Sequence, residues 1–191
     1  DMMGDHHHWR KTYAYEGSAR IPFIVKYPDT WKDMPRGQVY DHPIELRDIM
    51  PTLLDAAGAD IPDSVDGRSL LDIPRSQDEN WRDCVQGEHT TCYSAEHGMQ
   101  YLSDGHEKYI WFHHTDEEQY FNLDDDPLEC NELSKHPDHQ DRVQHWRKRL
   151  AQINEDRGDP RGQNGELVPQ PDGALKLSPN YQKWKDAAEN N

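Results

Sequence analysis

Met99-Gln100-Tyr101-Leu102-Ser103-Asp104-Gly105, followed by Lys108-Tyr109-Ile110-Trp111-Phe112, decides how this chain folds. Two apolar and aromatic runs meet across a Ser-Asp-Gly turn signal, the pattern of a β-hairpin. Gln119-Tyr120-Phe121-Asn122-Leu123 is a third run of the same kind, able to extend an antiparallel sheet. Downstream, Pro137 opens a helix in which Val143, Trp146, Leu150 and Ile153 share one face, so this helix can cover one side of the sheet. Arg147, Lys148 and Arg149 are expected towards its end, where the helix dipole favours cations. Trp111 and Trp146 read as core. The stretch from Asp159 to Asn191, rich in Pro, Gly, Asn and Gln, is expected to lie on the surface or wrap the body, anchored by Leu177, Tyr181 and Trp184.

Upstream of the hairpin the rhythm differs. Ile21-Pro22-Phe23-Ile24-Val25-Lys26-Tyr27, ended by Pro28-Asp29, reads as a buried strand. Ile44, Leu46, Ile49, Met50, Leu53, Leu54 and Ala57 then recur at helical spacing. Asp48 is the expected N-cap, Pro51 falls in the first turn and Gly58 is the stop. Strand followed by amphipathic helix is the alternation of a layered α/β domain. The fold class is therefore α/β for the first part, followed by a small α+β subdomain with an antiparallel sheet and a C-terminal helix. The polar stretch around Leu71 to Asp83 marks the boundary, dividing the chain into residues 1–75, 76–158 and an extended tail, 159–191.

Only 33% of the 191 residues are apolar, 30% are charged, and the mean hydropathy is -1.17, so a partial core with much polar surface is expected. The formal net charge of -16 argues against nucleic acid and anionic membranes as partners, and obliges any anionic substrate to find a local basic pocket. No apolar stretch approaches the roughly 20 residues of a membrane helix. Cys84, Cys92 and Cys130 contain no Cys-x-x-Cys pair, which disfavours zinc-ribbon and thioredoxin-like readings. Cys84 and Cys92 could close a small disulfide loop.

Gly4-Asp5-His6-His7-His8-Trp9-Arg10-Lys11, then Tyr15-Glu16-Gly17-Ser18-Ala19-Arg20-Ile21-Pro22, concentrates His, Arg and Lys in an otherwise acidic protein. A Lys ammonium offers a point charge and three donors to a sulfate or phosphate oxygen, and a neighbouring His can give or take a proton. The same residues also fit a solvated loop, or a histidine tract whose neighbours cannot all face one ion. Glu16 and Arg20, one helical turn apart, read as a structural ion pair. Asp124-Asp125-Asp126 lacks the alternating oxygen ligands of a calcium loop and reads as a polar turn before Pro127. His113-His114, at a strand end, reads as solvated.

Taken in order, these segments resemble the sulfatase family of the alkaline-phosphatase superfamily, which includes arylsulfatases and phosphonate monoester hydrolases. The stretch from Gly4 to Lys11, with Tyr15-Glu16 and Arg20-Ile21-Pro22, is similar to what that family carries directly after its Ser-Asp-His-Gly or Ser-Asp-Asn-Gly metal motif. Asp48-Ile49-Met50-Pro51-Thr52-Leu53-Leu54-Asp55 and Val65-Asp66-Gly67-Arg68-Ser69-Leu70 look like its helix and its Asp-Gly-x-Ser-Leu turn. Glu118-Gln119-Tyr120-Phe121-Asn122-Leu123, Asp126-Pro127 and Asn131-Glu132-Leu133 resemble its Leu-Phe-Asp-Leu, Asp-Pro, Asn-Leu ending. The resemblance runs from Asp1 to Leu150 and is co-linear throughout.

The resemblance implies the C-terminal part of an alkaline-phosphatase-like enzyme that hydrolyses a sulfate ester, with a sulfated glycan as the expected substrate. It assigns Lys11 a catalytic role on the sulfate or phosphoryl oxygen, and places Lys11, His6, His8 and Arg10 as substrate-binding residues. It also implies a divalent metal, calcium first, a formylglycine nucleophile, and a periplasmic or secreted location. Here the sequence departs from the pattern: none of Cys84, Cys92 and Cys130 has Pro two places on, as the formylglycine motif requires. The metal ligands are expected just upstream of Asp1, and about 300 residues are expected before it in all, a size ordinary for large α/β enzymes. Residues 1–191 alone are accordingly expected to be inactive. A phosphonate monoester or phosphodiester hydrolase on the same scaffold, and a non-catalytic binding fragment, are the alternative readings.

Overall fold

Tyr101 lies opposite Ile110 and Tyr109 opposite Tyr120, so the three runs read as strands pair in register as an antiparallel meander. The structure is a computed structural model and describes residues 1–77, 79–89 and 95–171. Its strands are β1 (Val85–His89), β2 (Met99–Ser103), β3 (Glu107–Phe112) and β4 (Glu117–Asn122), paired in sequence order, and a short hairpin of β5 (Gly162–Gln163) and β6 (Glu166–Leu167). Its helices are α1 (Glu16–Ala19), α2 (Ile49–Ala56) and α3 (Gln140–Asp156). The fold is mixed α/β, with the four-stranded antiparallel sheet and the C-terminal helix that the sequence patterns call for.

The two faces of the sheet are both apolar, and different parts of the chain cover them. Leu102, Tyr109, Trp111 and Tyr120 point to one face, where α3 lays Val143, Trp146 and Leu150 against them. Met99, Ile110, Phe112 and Phe121 point to the other, where Tyr13, Ala14 and Tyr15 settle on them. Alternation along each strand produces this division, since successive side chains leave opposite faces. Gln100 and Asn154, both fully buried, exchange reciprocal amide hydrogen bonds of 2.9 and 2.8 Å that join β2 to α3 without leaving a polar atom orphaned.

Several expectations need correction. Ile21 to Tyr27 is extended but forms no strand, and Ile24 is 90% exposed, because no other described segment offers its backbone a hydrogen-bonding ladder. Strand β1 was not anticipated: Val85-Gln86-Gly87-Glu88-His89 has too few large apolar residues to announce itself, and it forms because β2 presents a free edge. Arg147 and Arg149 lie mid-helix, since α3 runs on to Asp156, and they are held by Glu118 and Asp83 rather than by the helix dipole. His113 is half-buried rather than solvated: burial, and next the nearby Arg161 charge, lower its pKa. The chain after α3 folds back on that helix through β5 and β6, with Leu167 against its core; Leu177, Tyr181, Trp184 and Cys92 lie outside the described residues.

Asp48 is the residue before α2, as expected, but its carboxylate does not cap the helix. It is fully buried and accepts hydrogen bonds from the Glu45 and Arg68 amides, both 2.9 Å, and from the Arg82 guanidinium at 2.6 and 2.7 Å. Burial pushes its pKa up, but the Arg82 and backbone hydrogen bonds outweigh that and leave it below the ordinary 3.8. A depressed carboxylate contributes stability that is complete above 3.8 and is lost as pH falls towards the lower folded value. Urea midpoints at about pH 7 and about pH 3 are therefore expected to fall further apart in the native protein than in Asp48→Asn.

The Asp48 cluster also explains Gly67, in the Asp66-Gly67-Arg68 turn. A Cβ there would fall inside van der Waals contact of the Arg47 carbonyl oxygen, part of the backbone that presents Asp48. Gly67→Ala is expected to cost about 1–3 kcal/mol through overpacking, read as a shifted denaturation midpoint.

Candidate functional site

Residues 1–15 form a loop that closes on itself. The Met2 amide donates to the Arg10 carbonyl at 2.9 Å and the Gly4 amide to the His8 carbonyl at 2.8 Å. The turn between them uses Gly4 at φ 111°, His6 at 49° and His7 at 62°, all left-handed. For the two histidines this conformation is strained, of order 1–3 kcal/mol each, and such strain gathers where a loop must present particular groups.

The loop sorts its side chains into an inner and an outer set. His6 stacks on Tyr15, with centroids 4.2 Å apart at 15°, and its Nε2 lies 3.0 Å from the Leu128 carbonyl, to which it must donate. His8 packs on Tyr13 at 4.6 Å, and Tyr13 lies 5.8 Å from Tyr15 and 5.6 Å from His97. Tyr15 donates to Gln119 Oε1 at 3.1 Å, and burial, its largest influence, raises its pKa. Trp9, Arg10 and Lys11 form the outer set and face outward. The Lys11 side chain is 78% exposed, with its ammonium 3.5 Å from Asp1. The structure thus brings His6 and His8 together on the tyrosines and leaves Lys11 and Arg10 on the rim.

A residue to which the sequence reading gave only a place in a strand ties this loop down. Lys108 of β3 leaves the sheet on the loop's side, is 1% exposed, and contacts Glu16 and Glu129, each at 2.7 Å. The expected Glu16 to Arg20 pair is present at 3.6 Å, but it is the weaker of Glu16's two ionic contacts. The alternation of β3 gave a signal, since Lys108 shares a face with Ile110 and Phe112, where a charge needs an explanation.

Cys84 is a buried free thiol, and its burial pushes the pKa up to about 11, away from a reactive thiolate. Among the described residues, no cluster of three or more His, Cys, Asp and Glu side chains could hold a metal ion. Asp124 to Asp126 forms the polar turn expected of it, with the Asp124 and Asp125 amides donating to the Asn122 side chain. A divalent cation therefore does not fit the described residues. A recess of about 790 Å³ beside β4 and α3 is lined by Glu117, Glu118, Glu132 and Glu166 with Lys135 and Arg147; its acidic rim is unsuited to an anionic ester.

The fold is shared with sulfatases and phosphonate monoester hydrolases. A phosphonate monoester hydrolase from Silicibacter pomeroyi superposes on 83% of this chain and 33% of its own, with a TM-score of 0.68 and 22% identity. A 2-O glycosaminoglycan sulfatase superposes on 73% of this chain and 31% of its own, with a TM-score of 0.60 and 21% identity. Residues 4–156 match the family described as N-sulphoglucosamine sulphohydrolase, C-terminal, and the chain belongs to that family. An arylsulfatase of Clostridium perfringens is 44% identical over 150 residues, which is 78% of this chain and 31% of the relative. An N-acetylglucosamine-6-O-sulfatase of Bacteroides thetaiotaomicron is 27% identical over 139 residues, 69% of this chain and 24% of the relative. The chain thus spans between a quarter and a third of the relatives' length. No helix among the described residues is long and apolar enough to cross a membrane.

Proposed function

We propose that this chain is the C-terminal part of a sulfuric ester hydrolase acting on sulfated carbohydrate, and that it contributes Lys11 to the active site. The observation that carries this reading is the continuous family match over residues 4–156, which includes the loop holding Lys11 outward. An exposed ammonium at the rim of a hydrogen-bonded loop supplies positive charge where a sulfate ester oxygen gains negative charge as its bond breaks. Arg10 adds a second cation on the same rim, and His6 and His8 shape the wall behind it. The calcium ion and the formylglycine nucleophile that this reading brings with it belong to other parts of the enzyme. The proposed setting is periplasmic or secreted.

The sulfatase containing this chain should release sulfate from 6-O-sulfated N-acetylglucosamine and from an aryl sulfate, preferring both over a phenyl phosphonate ester by about tenfold or more in kcat/KM. The opposite preference would make it a phosphonate or phosphodiester hydrolase. Residues 1–191 alone should turn over none of these, and measurable turnover by them would overturn the division of labour proposed here.

A further inference from the structure

We infer that Lys108 is a positioning residue for the Lys11 loop, acting through its buried cluster with Glu16 and Glu129; this rests on the role proposed for Lys11. Burying an ammonium is costly, and an apolar side chain would cover the same face of β3 at less cost. What the ion cluster adds is direction. The Lys108 ammonium reaches Glu16 Oε1 and Glu129 Oε1 at 2.7 Å, while Glu129 Oε2 accepts the Glu16 backbone amide at 2.6 Å. Glu129 is itself 3% exposed and held at φ 55°, a left-handed conformation that a residue with a Cβ adopts only under constraint.

The point being fixed is the start of α1, where both arms of the loop converge. One arm runs from Glu16 back through Tyr15, Ala14 and Tyr13 to Lys11 across the apolar face of the sheet. The other approaches at Gly17, where an added Cβ would lie 2.7 Å from the Asp5 carboxylate and 3.4 Å from the Met2 sulfur. Lys108 therefore sets where the loop sits relative to the sheet, and with it the place of the Lys11 ammonium.

The test uses Lys108→Met in the sulfatase containing this chain, with Glu16→Gln as the milder variant should the first fail to fold. Amide exchange at Met2, Gly4, Asp5 and His8, whose backbone hydrogen bonds close the loop, should speed up about tenfold or more, while α3 amides keep their protection. Sulfate ester turnover should fall about tenfold to a hundredfold, in kcat more than in KM, because misplaced charge is felt most in the transition state. In combination with Lys11→Ala the second loss should vanish, since the clamp acts only through Lys11. Unchanged loop exchange, loosening that extends equally to α3, or additive losses in the double variant would each overturn the inference. Should Lys11→Ala by itself leave turnover intact, the role of Lys11 fails, while the exchange measurement still decides whether Lys108 places the loop.

Discussion

Replacing Lys11 by alanine is expected to lower sulfate ester turnover by about a hundredfold to a thousandfold, the usual loss when one preorganised charge stabiliser is removed from a transition state. Folding should be almost untouched. The side chain is 78% exposed and its ion pair to Asp1 is 3.5 Å long, an arrangement worth at most about 1 kcal/mol. The loop's shape depends instead on backbone hydrogen bonds, the Tyr13 and Tyr15 contacts and the Lys108 cluster, none of which involves the Lys11 side chain. Steady-state kinetics should show kcat and kcat/KM falling together, since the interaction strengthens as charge develops. An unchanged denaturation midpoint would accompany them. Turnover at the native level would remove Lys11 from the reaction.

The largest loss of stability is expected from Trp146→Ala. Trp146 is 4% exposed and fills the space between α3 and the sheet, in contact with the cluster that includes Tyr109, Trp111 and Tyr120. Its indole also donates to Glu107 at 2.6 Å, and the same carboxylate takes the Tyr120 hydroxyl at 2.6 Å and the Arg142 guanidinium. Emptying that volume costs about 3–5 kcal/mol, a large share of the roughly 5–15 kcal/mol that holds most domains folded. Thermal unfolding should drop by roughly 10–15 °C for a chain of this size. Trp146→Phe keeps most of the ring but strands one hydrogen bond to a carboxylate, and should lose about half as much. Equal losses for the two would mean that the hydrogen bond, not the packing, dominates.

Local pattern carried the reading of the sheet and of α3 because those elements are complete within short stretches. Alternating runs around Ser103-Asp104-Gly105 mark a hairpin through local pattern alone, and the Val143, Trp146, Leu150 spacing describes an apolar helix face that the sheet covers. Ile21 to Tyr27 shows where such reasoning stops: its composition is that of a strand, yet a strand exists only when paired with another, and no described segment pairs with it. The opposite error hid β1, whose polar residues pair simply because β2 has an open edge.

By itself, the order of residues determined the family resemblance, the antiparallel meander and the covering helix, since each is written in contiguous motifs and periodicities, and that resemblance is what singled out Lys11 for the proposed role. Only the tertiary structure decided that Asp48 binds Arg82 instead of capping α2, that His6 and His8 turn inward on Tyr15 and Tyr13, and that Lys108 reaches across to Glu16 and Glu129. The physical reason is common to all of them. A buried charge or ring takes the partner that removes it from water most completely, and that partner is chosen by proximity in space, which residue spacing does not encode.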